Sequence, residues 1–152
     1  MEEIEMKKCT KLAVVVFSMF LAAFLSIGTV CCASPAEQLF NEVNKMREVH
    51  GVAPLVWDAE LASAAELRAK ETAELFSHTR PDGSEWYTAV PGERVWAENL
   101  SSCDSLSSTI TLWTDGDIHE QNMLDERFVR AATAHYQDRS GRIRWVMLYD
   151  FK

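Results

Sequence analysis

Hydrophobic and polar positions follow a helical period in the first half of the chain. From Pro35 to His50 apolar residues return every three or four positions, and Gly51 then stands where a helix would end. The apolar positions are Leu39, Phe40, Val43, Met46 and Val49. This pattern predicts a first helix over residues 35–50 with one buried face.

A second helix is predicted after an extended connection. The segment GVAPLVW carries Pro54, which is incompatible with a helix passing through it. Asp58 is a candidate N-cap for a helix that reaches Ser77. Its periodic positions are Leu61, Ala65, Leu67, Ala69, Thr72 and Leu75. The many alanines predict close packing of this helix against another element.

The middle of the chain gives a weaker pattern. Residues 85–98 show no clean period, and we predict irregular structure there with a short strand at 94–96. Ser107 and Ser108 are candidate caps of a short helix that runs through Trp113. We therefore expect this region to connect the main helices and strands and not to form a layer of the fold.

The end of the chain has the two-residue period of β-strands. FVRAATAHYQ, a DRSG turn and RIRWVMLYDF predict an antiparallel hairpin. In its second strand one face carries Ile143, Trp145, Met147 and Tyr149, and the other carries Arg142, Arg144, Val146 and Leu148. We expect one side to meet a core and the other to be mixed.

The first 33 residues have the composition of a secretory signal peptide. Lysines at positions 7, 8 and 11 precede an apolar run that reaches about Ile27, and small residues end at Ala33. Cleavage there leaves residues 34–152 as one secreted domain with no membrane span. The run is also close to the length of a membrane span, so the alternative is an uncleaved anchor that holds the domain at the cell envelope.

Charge and cysteine usage narrow the classes of partner. The net charge is −8, and the three acids and three lysines of residues 1–33 cancel, so the domain itself is acidic. An acidic domain is a poor binder of phosphate backbones, which excludes nucleic acid as the expected partner. Cys103 is the one cysteine beyond residue 33. We therefore expect a monomer held by its core and not by disulfides.

Candidate chemistry is limited to histidines and carboxylates. His78, Glu98, His119 and Glu120 are groups that suit a divalent cation such as zinc, and the same groups can act as general acid and base. HEQNM begins like the HExxH zinc signature, but Met123 stands where the second histidine belongs. There is no GxSxG, no P-loop and no pair of cysteines with zinc spacing.

The motifs, taken in order, resemble a bacterial CAP domain. They are LFNEVNKMREVHGVAPLVWDAELASAAELRAKE, SHTRPDGS, AEN, a Trp six positions before His119, NML and the final WVMLYDF. The CAP superfamily, also called SCP, includes the cysteine-rich secretory proteins, antigen 5 and the plant pathogenesis-related 1 proteins. The similarity extends from about Glu37 to Phe151.

The resemblance implies an α+β fold, namely a three-layer α-β-α sandwich with a central antiparallel sheet and a cleft lined by histidine and glutamate. His78 matches the histidine after the second helix, and Glu98 and Asn99 match the acid and amide of the family's GEN motif. His119 matches the histidine of the bacterial HRxNIL motif. The resemblance thus implies a cleft of His78, Glu98, Asn99 and His119. Of these, His78, Glu98 and His119 form a tentative set of metal ligands, with no cofactor required and weak zinc binding possible.

Several positions depart from the family pattern. Ala97 replaces the glycine of GEN, Glu120 replaces the usual arginine, and Ala132 with Ala134 replaces the GxG of the first hairpin strand. Thr133 stands where eukaryotic members carry a further histidine. The eukaryotic set of four ligands is therefore incomplete in this chain.

Three functions are consistent with these residues. The working hypothesis is a secreted, non-catalytic binding module for a small amphipathic ligand or an envelope partner. The second is a metal-assisted hydrolase acting outside the membrane, in which His78 and His119 hold a cation and Glu98 is the base. The third is a cell-surface or host-interaction signalling module. The fold alone does not choose among them.

Overall fold

Helix α1 spans Pro35–Val49 and confirms the first predicted helix. Ser34 and Glu37 form a capping box at its start, and Gly51 follows its end with a positive φ of 74°. Leu39, Phe40 and Val43 are buried as predicted. The prediction for Val49 is wrong: its side chain is 79% exposed, and Arg47 occupies the buried position of the last turn.

Helix α2 spans Ala59–Glu74 and follows strand β1, Val56–Trp57. The Asp58 carboxylate caps it by accepting hydrogen bonds from the backbone N–H groups of Glu60 and Leu61, as predicted. The helix ends three residues before the predicted Ser77, and Leu75 is extended and exposed. After the helix ends, the chain reverses direction, and the Ser77 carbonyl accepts a hydrogen bond from the Arg68 side chain.

The sheet contains the predicted hairpin. Strands β3, Arg130–Gln137, and β4, Ile143–Asp150, pair antiparallel, and β2, Ala97–Ser101, pairs antiparallel with β4. The strand order is β1-β3-β4-β2, and β1 is parallel to β3. The strand predicted at 94–96 begins later in the chain. Strand β2 starts at Ala97, where its pairing with Tyr149 of β4 begins.

Two short helices lie between β2 and β3. Helix α3 spans Leu106–Trp113, and its cap is Ser105, which lies two residues before the first of the predicted cap serines, Ser107 and Ser108. Helix α4 spans Ile118–Leu124 and was not predicted. Its cap is Asp117, which accepts the N–H of His119 at 2.7 Å. Two short 3-10 helices, Trp86–Ala89 and Pro91–Glu93, lead into β2.

The sheet lies between two helical layers. On one face α2 packs its alanines Ala64, Ala65 and Ala69 against small and branched residues of the strands: Leu100, Ala132, Ala134, Val146 and Leu148. On the other face α1, α3 and α4 cover Ala97, Ala131, Trp145, Met147 and Tyr149. Both faces of β4 are therefore largely buried, and the face that was expected to be mixed is polar at its two ends, at Arg144 and Asp150. The fold is the three-layer α+β sandwich that the resemblance implied.

The computed structural model describes residues 32–93 and 95–151. The predicted signal peptide lies outside this range except for its last two residues, so its cleavage stays a prediction. Among the helices of the described residues, none is both long enough and apolar enough to cross a membrane. Residues 33–152 form one compact unit.

Candidate functional site

The predicted site residues meet at strand β2, on opposite faces of the sheet. Glu98 and Asn99 are consecutive strand residues, so their side chains point in opposite directions. Glu98 lies on the α2 face with Arg68 and His78, and Asn99 lies on the α4 face with His119. The structure therefore brings the four residues together as two pairs joined by one strand.

Glu98 is a fully buried carboxylate held by a guanidinium. Its Oε1 accepts from Arg68 Nε at 2.7 Å, and its Oε2 accepts from Arg68 Nη2 at 3.3 Å. Both side chains have an exposed fraction of 0%. His78 Nδ1 lies 2.8 Å from the same Oε2, although 57% of the His78 side chain is exposed. Glu98 thus holds the Nδ1 edge of the His78 imidazole, which faces solvent.

Contact with a carboxylate fixes the tautomer of His78. An ionised carboxylate oxygen only accepts hydrogen bonds, so Nδ1 of His78 is the donor. In the neutral ring Nε2 then carries the lone pair, on a side chain that is 57% exposed. His78 consequently presents a hydrogen-bond acceptor to an incoming group.

Arg68 is a site residue that sequence reasoning missed. Besides Glu98, it donates to the Ser77 carbonyl at 2.8 Å and to Glu71 at 2.8 Å. Arg80, on the other side of His78, pairs with the same Glu71 at 2.7 Å. The network therefore fixes the chain on both sides of His78. A signal was present in the sequence, since Arg68 falls on the buried stripe of α2.

Glu71 makes this network sensitive to acid. Burial raises its pKa, but hydrogen bonds from Arg80 and Arg68 outweigh burial, and the net pKa lies below the ordinary 4.5. A carboxyl whose pKa is lower in the folded state stabilises the fold above its unfolded pKa, and this contribution is lost as the pH falls through the folded value. We expect the free energy of unfolding to decrease below about pH 4.5.

The matched variants for this acid prediction are Glu71→Gln and Glu74→Gln. The first should remove part of the pH dependence measured by urea unfolding between neutral and acidic pH. The second changes an exposed carboxyl on the same helix and should leave the slope unchanged. Identical slopes for Glu71→Gln and the parent protein would contradict the role of Glu71.

Asn99 forms the second pair with the backbone of His119. Its Nδ2 donates to the His119 carbonyl at 3.0 Å and to the Tyr149 hydroxyl at 3.2 Å. Its Oδ1 accepts from Asn122 at 2.8 Å. Asn99 itself is fully buried. It therefore fixes the position of α4 on the sheet. Because Asn99 is buried, its role at the site is structural, and it does not contact a ligand.

The His119 ring is oriented by Asp117 and Trp113. Its Nδ1 lies 2.9 Å from Asp117 Oδ2, so here too a carboxylate makes Nδ1 the donor. The ring stacks over the fully buried Trp113 with centroids 6.3 Å apart and planes 20° from parallel. One fifth of the side chain is exposed. His119 therefore has the same tautomer as His78, with Nε2 as the acceptor.

The tentative metal set is not assembled among the described residues. Across 32–93 and 95–151 there is no group of three or more His, Cys, Asp or Glu arranged to hold a metal ion. Glu98 is engaged by Arg68, and the Nδ1 atoms of both histidines are engaged by carboxylates. The metal assignment for His78, Glu98 and His119 therefore stays a prediction that rests on the resemblance.

Thr133 does not take the place of a fourth ligand. It lies on the α1 face of the sheet, and its hydroxyl donates to the Ala36 carbonyl at 2.6 Å. Its side chain is thus on the opposite face from Glu98, because β3 and β4 pair Thr133 with Met147 of the α1 face. The hydrogen bond from Thr133 therefore holds the start of α1 against the sheet.

Comparison with solved structures places the fold among SCP domains. An extracellular SCP-domain protein from Bacillus anthracis superposes with a TM-score of 0.68 at 21% identity, covering 78% of this chain and 40% of that one. An outer surface protein from Borrelia burgdorferi gives 0.69 at 16% identity, covering 76% and 91%. A cysteine-rich secretory protein from Staphylococcus aureus gives 0.61 at 20% identity, covering 78% and 39%.

These similarities establish the fold, and the family follows from the sequence profile. The chain spans about two fifths of the length of the Bacillus and Staphylococcus structures. No curated protein matches it significantly. The profile of the CAP family, described as the cysteine-rich secretory protein family, matches residues 40–149. This match takes in both hairpin strands, β2 and the histidine-bearing segments, and the chain belongs to the CAP family.

Proposed function

We propose that this CAP domain is an exported, non-catalytic binding module. In this proposal His78, Glu98 and His119 contribute to a site for a small amphipathic ligand or an envelope partner. Export is supported by the signal-like residues 1–33 and by similar folds in an extracellular protein and an outer surface protein. The domain acts outside the membrane, either released or held at the envelope.

The proposal that the domain is non-catalytic rests on the burial and the hydrogen bonds of Glu98. A general base or a metal ligand needs a carboxylate with a free lone pair directed at the reacting group. Both oxygens of Glu98 accept hydrogen bonds from a buried guanidinium, and its side chain has no exposed surface. Glu98 therefore acts by orienting His78, and it does not reach a substrate.

The surroundings of the two histidines support an amphipathic ligand. Ile118, the residue before His119, is 59% exposed, and Phe76, two residues before His78, is 50% exposed. Apolar side chains beside imidazole acceptors suit a molecule with a polar donor and an apolar body. A protonated acid, alcohol or amide head group supplies that donor.

Binding of a dansyl-labelled long-chain alcohol, whose hydroxyl is a hydrogen-bond donor, tests this proposal. We expect saturable fluorescence enhancement with the purified protein and an affinity about twofold to tenfold weaker for His78→Ala, because one hydrogen bond contributes about 0.5–1.5 kcal/mol. His50→Ala is the matched control, since His50 is an exposed histidine at the end of α1. Equal affinities of all three proteins would refute a role for His78.

The same assay separates the binding module from the metal-assisted hydrolase. Added zinc and added chelator should leave the affinity unchanged if the histidines act through hydrogen bonds alone. An affinity that requires zinc would instead favour the hydrolase hypothesis, with His78 and His119 as ligands.

A further inference from the structure

The peptide bond between Ala33 and Ser34 is held by side chains of α1. The Ala33 carbonyl accepts a hydrogen bond from Gln38 Nε2 at 2.7 Å, and the Ser34 N–H donates to Glu37 Oε2 at 2.7 Å. Gln38 and Glu37 both belong to the first turn of α1. Although Ala33 and Ser34 are exposed, both polar groups of the bond between them are therefore engaged by the folded domain.

The sequence around this bond has the pattern of a signal peptidase site. Small side chains stand at Ala33, directly before the bond, and at Cys31, two residues earlier. The compact folded unit begins at Ala33, so the bond lies at its boundary. Hydrolysis breaks the C–N bond between Ala33 and Ser34. Water supplies the added oxygen of the Ala33 carboxylate and two protons to the nitrogen of Ser34, which becomes an ammonium group.

The capping box favours this bond over the next one along the chain. Its hydroxyl belongs to Ser34, which accepts a hydrogen bond from the Glu37 N–H at 3.2 Å. Cleavage between Ala33 and Ser34 keeps the box, because the Ser34 nitrogen remains a donor to Glu37 as an ammonium group. Cleavage before Pro35 would remove Ser34 and leave the first turn of α1 without its cap. The fold therefore suits a mature chain that begins at Ser34.

The folded first turn and a peptidase compete for the same backbone groups. A peptidase aims hydrogen-bond donors at the oxygen of the carbonyl that it attacks. In the folded domain the Ala33 oxygen is already held by Gln38, and the Ser34 N–H is already held by Glu37. Both hydrogen bonds must therefore break before the folded chain can be hydrolysed here.

We propose that a signal peptidase hydrolyses the Ala33–Ser34 bond, and that the first turn of α1 protects this bond once the domain has folded. The inference rests on the export of the domain in the proposed function. A chain that is cut before α1 forms is released, whereas a chain that folds first keeps its apolar segment. The order of folding and cleavage therefore decides between the released domain and the domain held at the envelope.

The test is cleavage of the 152-residue chain in detergent micelles by a purified bacterial signal peptidase, followed by mass spectrometry. We expect slow cleavage and a new N-terminus at Ser34. Glu37→Ala combined with Gln38→Ala should be cleaved about fivefold to 140-fold faster, which corresponds to two hydrogen bonds of about 0.5–1.5 kcal/mol each. The matched control, Asn41→Ala combined with Glu42→Ala, alters the same helix beyond its first turn and should be cleaved like the parent chain.

A synthetic peptide of residues 24–42 separates protection by the fold from recognition by the peptidase. Residues 35–42 are too few to hold a helix in water, so the Ala33–Ser34 bond of the peptide is free. We expect the peptide to be cleaved faster than the folded chain, and at the same rate with or without the substitutions at Glu37 and Gln38. Faster cleavage of the substituted peptide would show that these side chains act on recognition, which would overturn the proposal.

The remaining outcomes distinguish this inference from the proposed function. Equal cleavage rates for the 152-residue chain and its Glu37→Ala, Gln38→Ala variant, with the peptide still cut before Ser34, would overturn the protection alone. Cleavage at another bond would overturn the assignment of the site. A peptide that the peptidase does not cut at all would overturn both this inference and release of the domain by cleavage, and it would leave ligand binding at His78 to its own assay.

Discussion

Replacing Arg47 by methionine is expected to lower the free energy of unfolding by about 3–5 kcal/mol, the largest single-site effect that we predict. The guanidinium is fully buried at the end of α1. Hydrogen bonds to charged groups contribute about 1.5–3 kcal/mol each, and the cost of burying the charge offsets part of their sum. Methionine fills a similar volume but donates nothing, so several buried carbonyls lose their partner.

Four backbone carbonyls depend on Arg47. Its Nε donates to Ala53 at 2.8 Å, its Nη1 donates to Met123 at 2.7 Å and Asp125 at 3.0 Å, and its Nη2 donates to Phe128 at 3.1 Å. These carbonyls belong to the connection after α1, to the last turn of α4 and to the segment between α4 and β3. One side chain therefore joins the connection after α1 to the chain at and after the end of α4.

Urea unfolding followed by tryptophan fluorescence measures this effect. Arg47→Lys should recover only part of the stability, because an ammonium group lacks the planar fork that reaches four acceptors. Lys45→Met is the matched control: Lys45 is an exposed basic residue of the same helix, and its pair with Glu42 contributes less than about 1 kcal/mol. Stability of Arg47→Met equal to that of Lys45→Met would contradict this role.

Replacing Glu98 by glutamine is expected to cost about 3 kcal/mol and to release His78. The substitution leaves the buried Arg68 guanidinium without its main counter-charge. Breaking a buried ion pair from one side costs about 3–5 kcal/mol, and the lower end applies here because Glu71 still pairs with Arg68. Glutamine keeps one acceptor oxygen, and with that oxygen toward Arg68 the amide NH2 faces His78 Nδ1, so His78 meets a donor where it had an acceptor.

Two measurements separate these consequences of Glu98→Gln. Urea unfolding gives the stability, and the double variant Arg68→Met with Glu98→Leu should regain part of it, since no unpaired charge remains. The imidazole nitrogen chemical shifts of His78 report its tautomer, and they should change in Glu98→Gln but not in Glu74→Gln. Unchanged shifts would show that Glu98 does not orient His78.

The sequence by itself determined the two long helices, the final hairpin and their order. Periodicity predicted α1, α2 and the final hairpin, because their apolar positions repeat at the spacing of a helix or a strand. Asp58 was correctly predicted as a cap, since a carboxylate before a periodic segment accepts the first free N–H groups whatever the tertiary fold. The motifs then identified the family, which the match over residues 40–149 confirms.

Only the tertiary structure decided which polar residues enter the interior. Arg47 and Arg68 lie on the buried stripes of their helices, yet their helical position alone could not distinguish a buried arginine from one that extends to water. Their partners come from segments distant in sequence: the Phe128 carbonyl for Arg47 and the Glu98 carboxylate for Arg68. Hydrogen-bond partners separated by 30 or 81 residues leave no periodic signal.

The arrangement of the site was likewise decided by the tertiary structure. Sequence motifs named His78, Glu98, Asn99 and His119, but the two-residue period of β2 places Glu98 and Asn99 on opposite faces of the sheet. The short helix α4 that carries His119 escaped prediction, because seven residues are too few to show a helical period. The directions of side chains across a sheet depend on the register with β4, and register is a property of the folded chain.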